Sequence, residues 1–164
     1  MKKVLIIAAV ALVGFSVTAQ DGLKLGANLG LPVGDAGDVS GFSIGIDAQY
    51  MFETAGEFDL GVAAGFTNAF GKTIGDSAFS IEIDDVQFLP IAGVARFNAS
   101  EEVSIGVDLG YALGINDGND GGFYYRPTVG YSISENIEIN ASYSGISLDG
   151  GTWSTINLGA LFSL

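Results

Sequence analysis

The chain alternates apolar side chains with small or polar ones from Leu23 to its last residue, Leu164. Successive side chains of a β-strand point to opposite faces, whereas a helix repeats about every 3.6 residues, so a period of two predicts strands. The segment Val103–Gly114 is the most regular, with Val, Ile, Leu and Tyr at odd positions and Ser, Gly, Asp and Ala at even ones. The pattern predicts an all-β fold in which each strand has one apolar face.

Eight such segments follow one another, each about as long as the 9 to 11 residues that a tilted strand needs to cross a bilayer core. The fourth is the least regular, and we assign Phe88, Pro90, Ala92 and Val94 to its apolar face, which puts Arg96 on that face beside a short turn. The predicted strands are 23–31, 42–52, 58–67, 86–94, 103–114, 123–133, 137–144 and 155–164.

The connectors alternate in length. Residues 53–57, 98–102 and 134–136 are short, whereas 32–41 and 71–85 are long, and 116–122 and 147–153 are intermediate. Short turns at one end and longer loops at the other are typical of an up-and-down barrel in an outer membrane. We therefore predict an eight-stranded antiparallel up-and-down transmembrane β-barrel, with its short turns in the periplasm.

The polar face decides which side of the barrel meets lipid. A soluble lipocalin-like barrel has the same alternation but needs many long charged residues outside. Here the polar face is mostly Gly, Ala, Ser, Thr and Asn, which suits the crowded interior of an eight-stranded barrel. Its few charges have both signs, and we expect them to form a charge network in the lumen: Lys24, Asp47, Asp59, Asp108, Arg126 and Glu138.

Aromatic residues of the apolar face lie mostly toward the strand ends. This placement predicts two aromatic girdles at the membrane interfaces. The residues are Phe42, Tyr50, Phe52, Phe58, Tyr111, Phe123, Tyr125, Tyr131, Tyr143 and Phe162.

The first residues have the composition of a secretory signal peptide. Lys2 and Lys3 precede an apolar run that is too short to span a membrane, and Val17-Thr18-Ala19 is a small-residue cleavage site. We expect residues 1–19 to be removed and residues 20–164 to form one barrel domain.

Composition narrows the range of functions. The chain has 48% hydrophobic and only 15% charged residues, with 19 Asp and Glu against 6 Lys and Arg. This acidic balance disfavours nucleic acid as a partner. Histidine and cysteine are both absent, which removes disulfides, thiol chemistry and the catalytic triads and metal sites built on those residues. We expect no catalytic residues, no metal site and no cofactor, while weak divalent-cation binding by the acidic loops stays open.

The chain resembles the small outer-membrane β-barrel proteins of Gram-negative bacteria. The similarity is to the porin-family barrels common in Bacteroidetes and, more distantly, to OmpX-like and OmpA-like eight-stranded barrels. It is carried by the Val17-Thr18-Ala19-Gln20 junction, the strand Phe88-Leu89-Pro90-Ile91, the glycine alternation of 106–114 and the final strand. Many such barrels end in Phe, whereas this chain ends in Leu164 with Phe162 two residues before it.

The resemblance implies an exported, non-enzymatic integral outer-membrane protein of the cell envelope. Its partners would be the lipid bilayer and, during insertion, the barrel-assembly machinery. We expect a structural or surface-interaction role with acidic external loops. The alternatives are a narrow porin-like channel for small solutes and a soluble lipocalin-like binder of apolar ligands. The sequence leaves open the extracellular partner, the oligomeric state and whether the lumen conducts.

Overall fold

The alternating segments form β-strands in a computed structural model that describes residues 22–52, 56–76 and 79–164. The expected signal peptide, residues 1–19, lies outside the described residues. No helix in the described part of the chain is long and apolar enough to cross a membrane. The elements are β1 (Leu23–Val33), α1 (Asp35–Val39), β2 (Ser40–Phe52), β3 (Phe58–Gly71), β4 (Thr73–Asp76), β5 (Phe79–Glu82), β6 (Val86–Asn98), β7 (Val103–Gly114), β8 (Gly122–Ser134), β9 (Ile137–Leu148) and β10 (Gly151–Ser163).

Eight of these strands close into one antiparallel barrel in the order β1-β10-β9-β8-β7-β6-β3-β2. Each strand pairs with its neighbours along the chain, and β1 closes the ring by pairing with β10 from Lys24 opposite Ser163 to Val33 opposite Ser154. The remaining two strands, β4 and β5, form a separate hairpin in the connection between β3 and β6. The predicted eight-stranded up-and-down barrel is confirmed.

The outer surface of the barrel is apolar and tall enough for a membrane. On β2, the side chains of Phe42, Ile44, Ile46, Tyr50 and Phe52 are exposed on the outer face. Ten residues of tilted strand correspond to about 25 Å, the height of the apolar band of outer-membrane barrels. A soluble barrel would carry its charged residues there, so the lipocalin-like alternative is wrong.

The two ends of the barrel differ in their connections. The turn end carries the connections from β2 to β3, from β6 to β7 and from β8 to β9, together with the N-terminal end of β1 and the C-terminal end of β10. The loop end carries α1, the β4–β5 hairpin and residues 115–121. The connection predicted at 147–153 shrinks to residues 149–150, because β9 and β10 continue pairing as far as Leu148 opposite Gly151.

The predicted register of the fourth barrel strand, β6, is wrong. Phe88, Ala92 and Val94 are buried in the lumen and Ile91 is exposed outside, so the two faces are exchanged. The cause lies in the sequence around residues 88–91, which is apolar on both faces. The alternation there does not indicate which side chains point into the lumen. The exchange also carries Arg96 into the lumen, where it is buried, instead of toward lipid.

Adjacent cysteine variants on β7 test which face meets lipid, because the chain has no native cysteine. Ile105 is exposed outside and Ser104 is buried inside. With a small environment-sensitive dye attached to each cysteine before refolding, lipid-borne quenchers in nanodiscs should quench the dye at Ile105→Cys and not the dye at Ser104→Cys. Quenching at Ser104→Cys alone would contradict the assignment of faces.

Candidate functional site

A network of ion pairs fills the middle of the barrel, and Arg126 is its centre. Its guanidinium lies 3.0 Å from a carboxylate oxygen of Asp47 and 2.7 Å from one of Asp108. Asp47 also accepts a hydrogen bond of 2.9 Å from the Asn28 amide. Asp47 is on β2 and Arg126 on β8, four strands apart in the eight-stranded ring. This ion pair therefore joins opposite walls of the lumen.

Arg96 is the second cation of the network. Its Nη1 lies 2.6 Å from Oδ1 of Asp108, which is on the neighbouring strand β7 and is fully buried. Two guanidinium groups and two carboxylates thus neutralise one another, and this is required because an unpaired buried charge costs several kcal/mol. Sequence reasoning missed Arg96, although the four expected lumen carboxylates faced only two expected cations. That imbalance was the signal for another cation inside.

The other three predicted lumen residues lie together toward the turn end. Lys24 Nζ is 3.8 Å from Glu138 Oε2, and Asp59 accepts a hydrogen bond of 2.8 Å from the Asn98 amide. All of these side chains line one small cavity with Arg96. The six predicted residues therefore fall into two groups, one around Arg126 and one at the turn end, and Arg96 lies between them.

Two small cavities in the lumen have space for water and for little else. The cavity at the turn end has a volume of about 20 Å³, and a second cavity beside Asp47 and Arg126 has about 10 Å³. A cavity needs roughly 10 to 15 Å³ to hold one water molecule. Both cavities are lined by Gln49, Arg96 and Leu161, so they adjoin one another. Neither has the volume of an organic substrate.

A layer of apolar side chains crosses the lumen at the loop end, and we call it the septum. The rings of Phe88 and Trp153 are 5.8 Å apart, and they come from β6 and β10, which are opposite walls of the ring. Phe88 is 1% exposed and Ala112 is 0% exposed. Sequence reasoning missed this layer because it placed Phe88 outside and Trp153 in a loop. We define the septum as the buried Phe88, Ala112, Tyr124 and Ile146 together with the partly buried Trp153; Ala92 is buried in the same cluster.

All ten predicted interface aromatics lie on the outer face. The band near the loop end contains Phe42, Tyr111, Phe123, Tyr125 and Tyr143, and the band near the turn end contains Tyr50, Phe52, Phe58, Tyr131 and Phe162. Two further rings join these bands: Phe70 stacks on Phe42 at 4.4 Å between centroids, and Phe97 lies 5.0 Å from Phe58. Two bands near opposite ends are the arrangement expected at two membrane interfaces.

Hydrogen bonds of one lysine join two segments at the loop end. Lys72 donates its backbone N–H to the Val39 carbonyl at 2.9 Å and its ammonium group to the Gly37 carbonyl. Its own carbonyl accepts a bond of 3.0 Å from Ile83 N–H. Lys72 thereby connects α1 to the base of the β4–β5 hairpin.

Amide side chains tie the next connection to the barrel rim. Asn119 donates to the Gln87 carbonyl at 3.0 Å, and Asn116 accepts from the Gln87 N–H at 2.9 Å. The Gln87 side chain donates to Asn68 at 2.8 Å, and Asn68 donates to Asp85 at 3.0 Å. This chain of bonds holds the loop bases in fixed positions.

The loop end is negatively charged. In the described part of the chain, Lys72 is its single basic side chain. Within the described residues, no group of three or more acidic side chains lies close enough together to hold a metal ion. The charge is therefore spread over the surface. The exposed carboxylates are Asp35, Asp38, Glu82, Asp84, Asp85, Asp117, Asp120 and Asp149.

Asp108 should be the most sensitive position in the lumen. The Asp108→Asn variant removes the charge that faces two arginines, and breaking such a buried pair costs about 3 to 5 kcal/mol of unfolding free energy. The Glu138→Gln variant should lose no more than about 1 kcal/mol, because the Lys24–Glu138 pair is long and partly exposed. Urea titration of the barrel refolded in vesicles measures both losses. Equal losses would contradict the central role of Asp108.

Comparison with known proteins agrees with this geometry. The backbone of the Yersinia pestis outer membrane protein Ail in a phospholipid nanodisc has a TM-score of 0.60 at 18% identity, covering 87% of this chain and 99% of that one. Crystalline Ail with the heparin analogue sucrose octasulfate has a TM-score of 0.54 at 19% identity, covering 87% and 96%. The N-terminal β-barrel domain of Pseudomonas aeruginosa OprF has a TM-score of 0.52 at 18% identity, covering 87% and 97%. At these identities the likeness shows the shared fold alone.

Sequence comparison identifies the family. No protein of curated function matches the chain. The family described as "Outer membrane protein beta-barrel domain" matches residues 6–163, nearly the whole sequence. The closed antiparallel ring, its apolar exterior and this match lead to one conclusion: the chain belongs to the outer membrane protein β-barrel domain family, whose members lie in the outer-membrane bilayer.

Proposed function

We propose that this protein is a non-enzymatic outer-membrane barrel with a closed lumen, whose loop end is a surface for interaction with cationic partners. The observation that carries the proposal is that side chains from opposite walls meet inside the barrel. Phe88 meets Trp153, and Asp47 meets Arg126. With the lumen filled, the surface available to a macromolecular partner outside the membrane is at the ends of the barrel.

An enzymatic role has little support from the site. The chain has no histidine and no cysteine, and the central carboxylates are engaged by guanidinium groups. The adjoining cavities hold about one water molecule each. A substrate therefore has no place beside these carboxylates.

A narrow channel for small solutes is the alternative. Wide aqueous pores appear in barrels of about 16 strands, and an eight-stranded barrel is just wide enough for its own side chains. The Phe88–Trp153 contact at the loop end disfavours a continuous water path through this one.

The charge of the loop end favours cationic partners. This end exposes many carboxylates and a single basic side chain, Lys72, in the described part of the chain. The Lys72 ammonium group donates a hydrogen bond to the Gly37 carbonyl. Ail has been crystallised with a heparin analogue, which is an anion. The present surface would repel such a ligand, so the shared barrel does not bring a shared ligand with it.

The proposed route to the membrane follows from the family. Residues 1–19 would direct export and be removed, and the barrel-assembly machinery would insert the domain. The outer face of β10 near the turn end carries Phe162, and Leu164 follows it. We place the turn end in the periplasm and the loop end outside the cell.

The wild-type barrel should be electrically silent. In a planar bilayer bathed in potassium chloride, we expect no stepwise current, because side chains from opposite walls meet inside the barrel. Regular single-channel steps from the purified protein would contradict the closed lumen and favour the channel.

Neutralising loop carboxylates should weaken binding of a cationic probe. The triple variant Asp38→Asn, Asp84→Asn, Asp117→Asn should raise the Kd for an oligolysine peptide by about tenfold, at roughly 0.5 kcal/mol per exposed pair. Titration of the labelled peptide against nanodiscs carrying the protein measures this, and the difference should shrink at high salt.

A matched variant at the other end is the control. Glu57, Glu101 and Glu135 are exposed at the turn end, so Glu57→Gln, Glu101→Gln, Glu135→Gln removes the same net charge from the opposite surface. An equal change in Kd for both triple variants would show that net charge, and not the loop end, governs binding.

A further inference from the structure

The septum forms one level of the barrel. Phe88, Tyr124 and Trp153 are each the third residue from the loop end of β6, β8 and β10. Ala112 and Ile146 are third from the loop end of β7 and β9. Five consecutive strands therefore contribute to a single layer. Val86 and Leu148 pack against it.

The septum and the ion network lie at different depths and span the lumen in different directions. Phe88 and Trp153 join β6 to β10, whereas Asp47 and Arg126 join β2 to β8. In each pair the two strands are four positions apart in the ring. The line from β6 to β10 therefore crosses the line from β2 to β8 when the barrel is viewed along its axis. The layers are in contact, because the Arg126 guanidinium lies 6.0 Å from the centre of the Tyr124 ring.

Two water-sized cavities lie beside the ion network. The cavities of about 20 and 10 Å³ adjoin one another at Gln49, Arg96 and Leu161, and no septum residue lines either of them. Their walls carry charged and amide groups, which bind water, whereas Phe88, Ala112 and Ile146 of the septum present apolar surface, which does not. Charged groups with room for water beside them are a weak barrier to water and small ions.

We propose that the septum is the permeability barrier of this barrel, and that the lumen below it is a blind vestibule that takes water and small ions from the turn end. This deepens the closed lumen of the proposed function and rests on it. The ion network then serves to join the walls. The septum alone separates the vestibule from the outside.

Removing the septum rings tests the proposal. The Trp153→Ala variant and the Phe88→Ala/Trp153→Ala double variant should show single-channel current steps in a planar bilayer that the wild type lacks. The matched control is Asp47→Asn, which removes the ion pair across the lumen with little change of volume and should stay silent. Heat-modifiable migration in gels shows that each variant is folded.

The outcomes separate the two proposals. Steps from the wild type would end the closed-lumen function itself. Folded septum variants that stay silent beside a silent wild type, or an ion-pair variant that conducts with its septum intact, would overturn the septum as the barrier and leave the closed lumen standing.

A second measurement leaves the large side chains in place. Ser104 lines the turn-end cavity and Ala112 belongs to the septum, and both face the lumen on β7. In nanodiscs, a small water-soluble thiol reagent should modify the Ser104→Cys variant at least tenfold faster than Ala112→Cys, since roughly 1.4 kcal/mol of extra barrier has that effect. Equal rates would overturn the proposal even if the ring variants failed to fold.

Discussion

The pairing of β1 with β10 is the constraint on which the rest of this structure depends. A bilayer core offers no water to hydrogen-bond with a free strand edge, so the sheet must close. Closure with eight strands fixes a narrow lumen that only side chains can fill. Each later feature follows from that width. Gly106, for example, lies under Arg96, and a Cβ added there would collide with that side chain and with the Ala95 carbonyl.

The narrow lumen then determines how charge is placed. Arg96 and Arg126 are buried among side chains in a space with room for few waters, so each needs a carboxylate within contact distance. Asp108 meets both, and Asp47 supplies the second negative charge from the opposite wall. At the loop end the lumen is filled largely by apolar side chains, and those of Phe88, Ala112 and Ile146 need no hydrogen-bond partner.

Much of this arrangement could be predicted from the sequence, because strand parity is a local property. Alternation placed Asp47, Asp108 and Arg126 inside and the ten interface aromatics outside, and the structure has them there. It failed on β6, where Phe88 to Ile91 are apolar on both faces. The pairing of Arg96 with Asp108 and the contact of Phe88 with Trp153 depend on register between strands, which no single segment encodes.

Two prolines show why the lumen contents matter to the wall. Proline cannot donate a ladder hydrogen bond, and the pairing of β3 with β6 is interrupted opposite Pro90, as that of β8 with β9 is opposite Pro127. The two interrupted ladders lie on either side of β6–β8. The Arg126–Asp47 ion pair and the Phe88–Trp153 contact both run from these three strands to the other five. Side chains inside the barrel thus add contacts between strands on the two sides of each interrupted ladder.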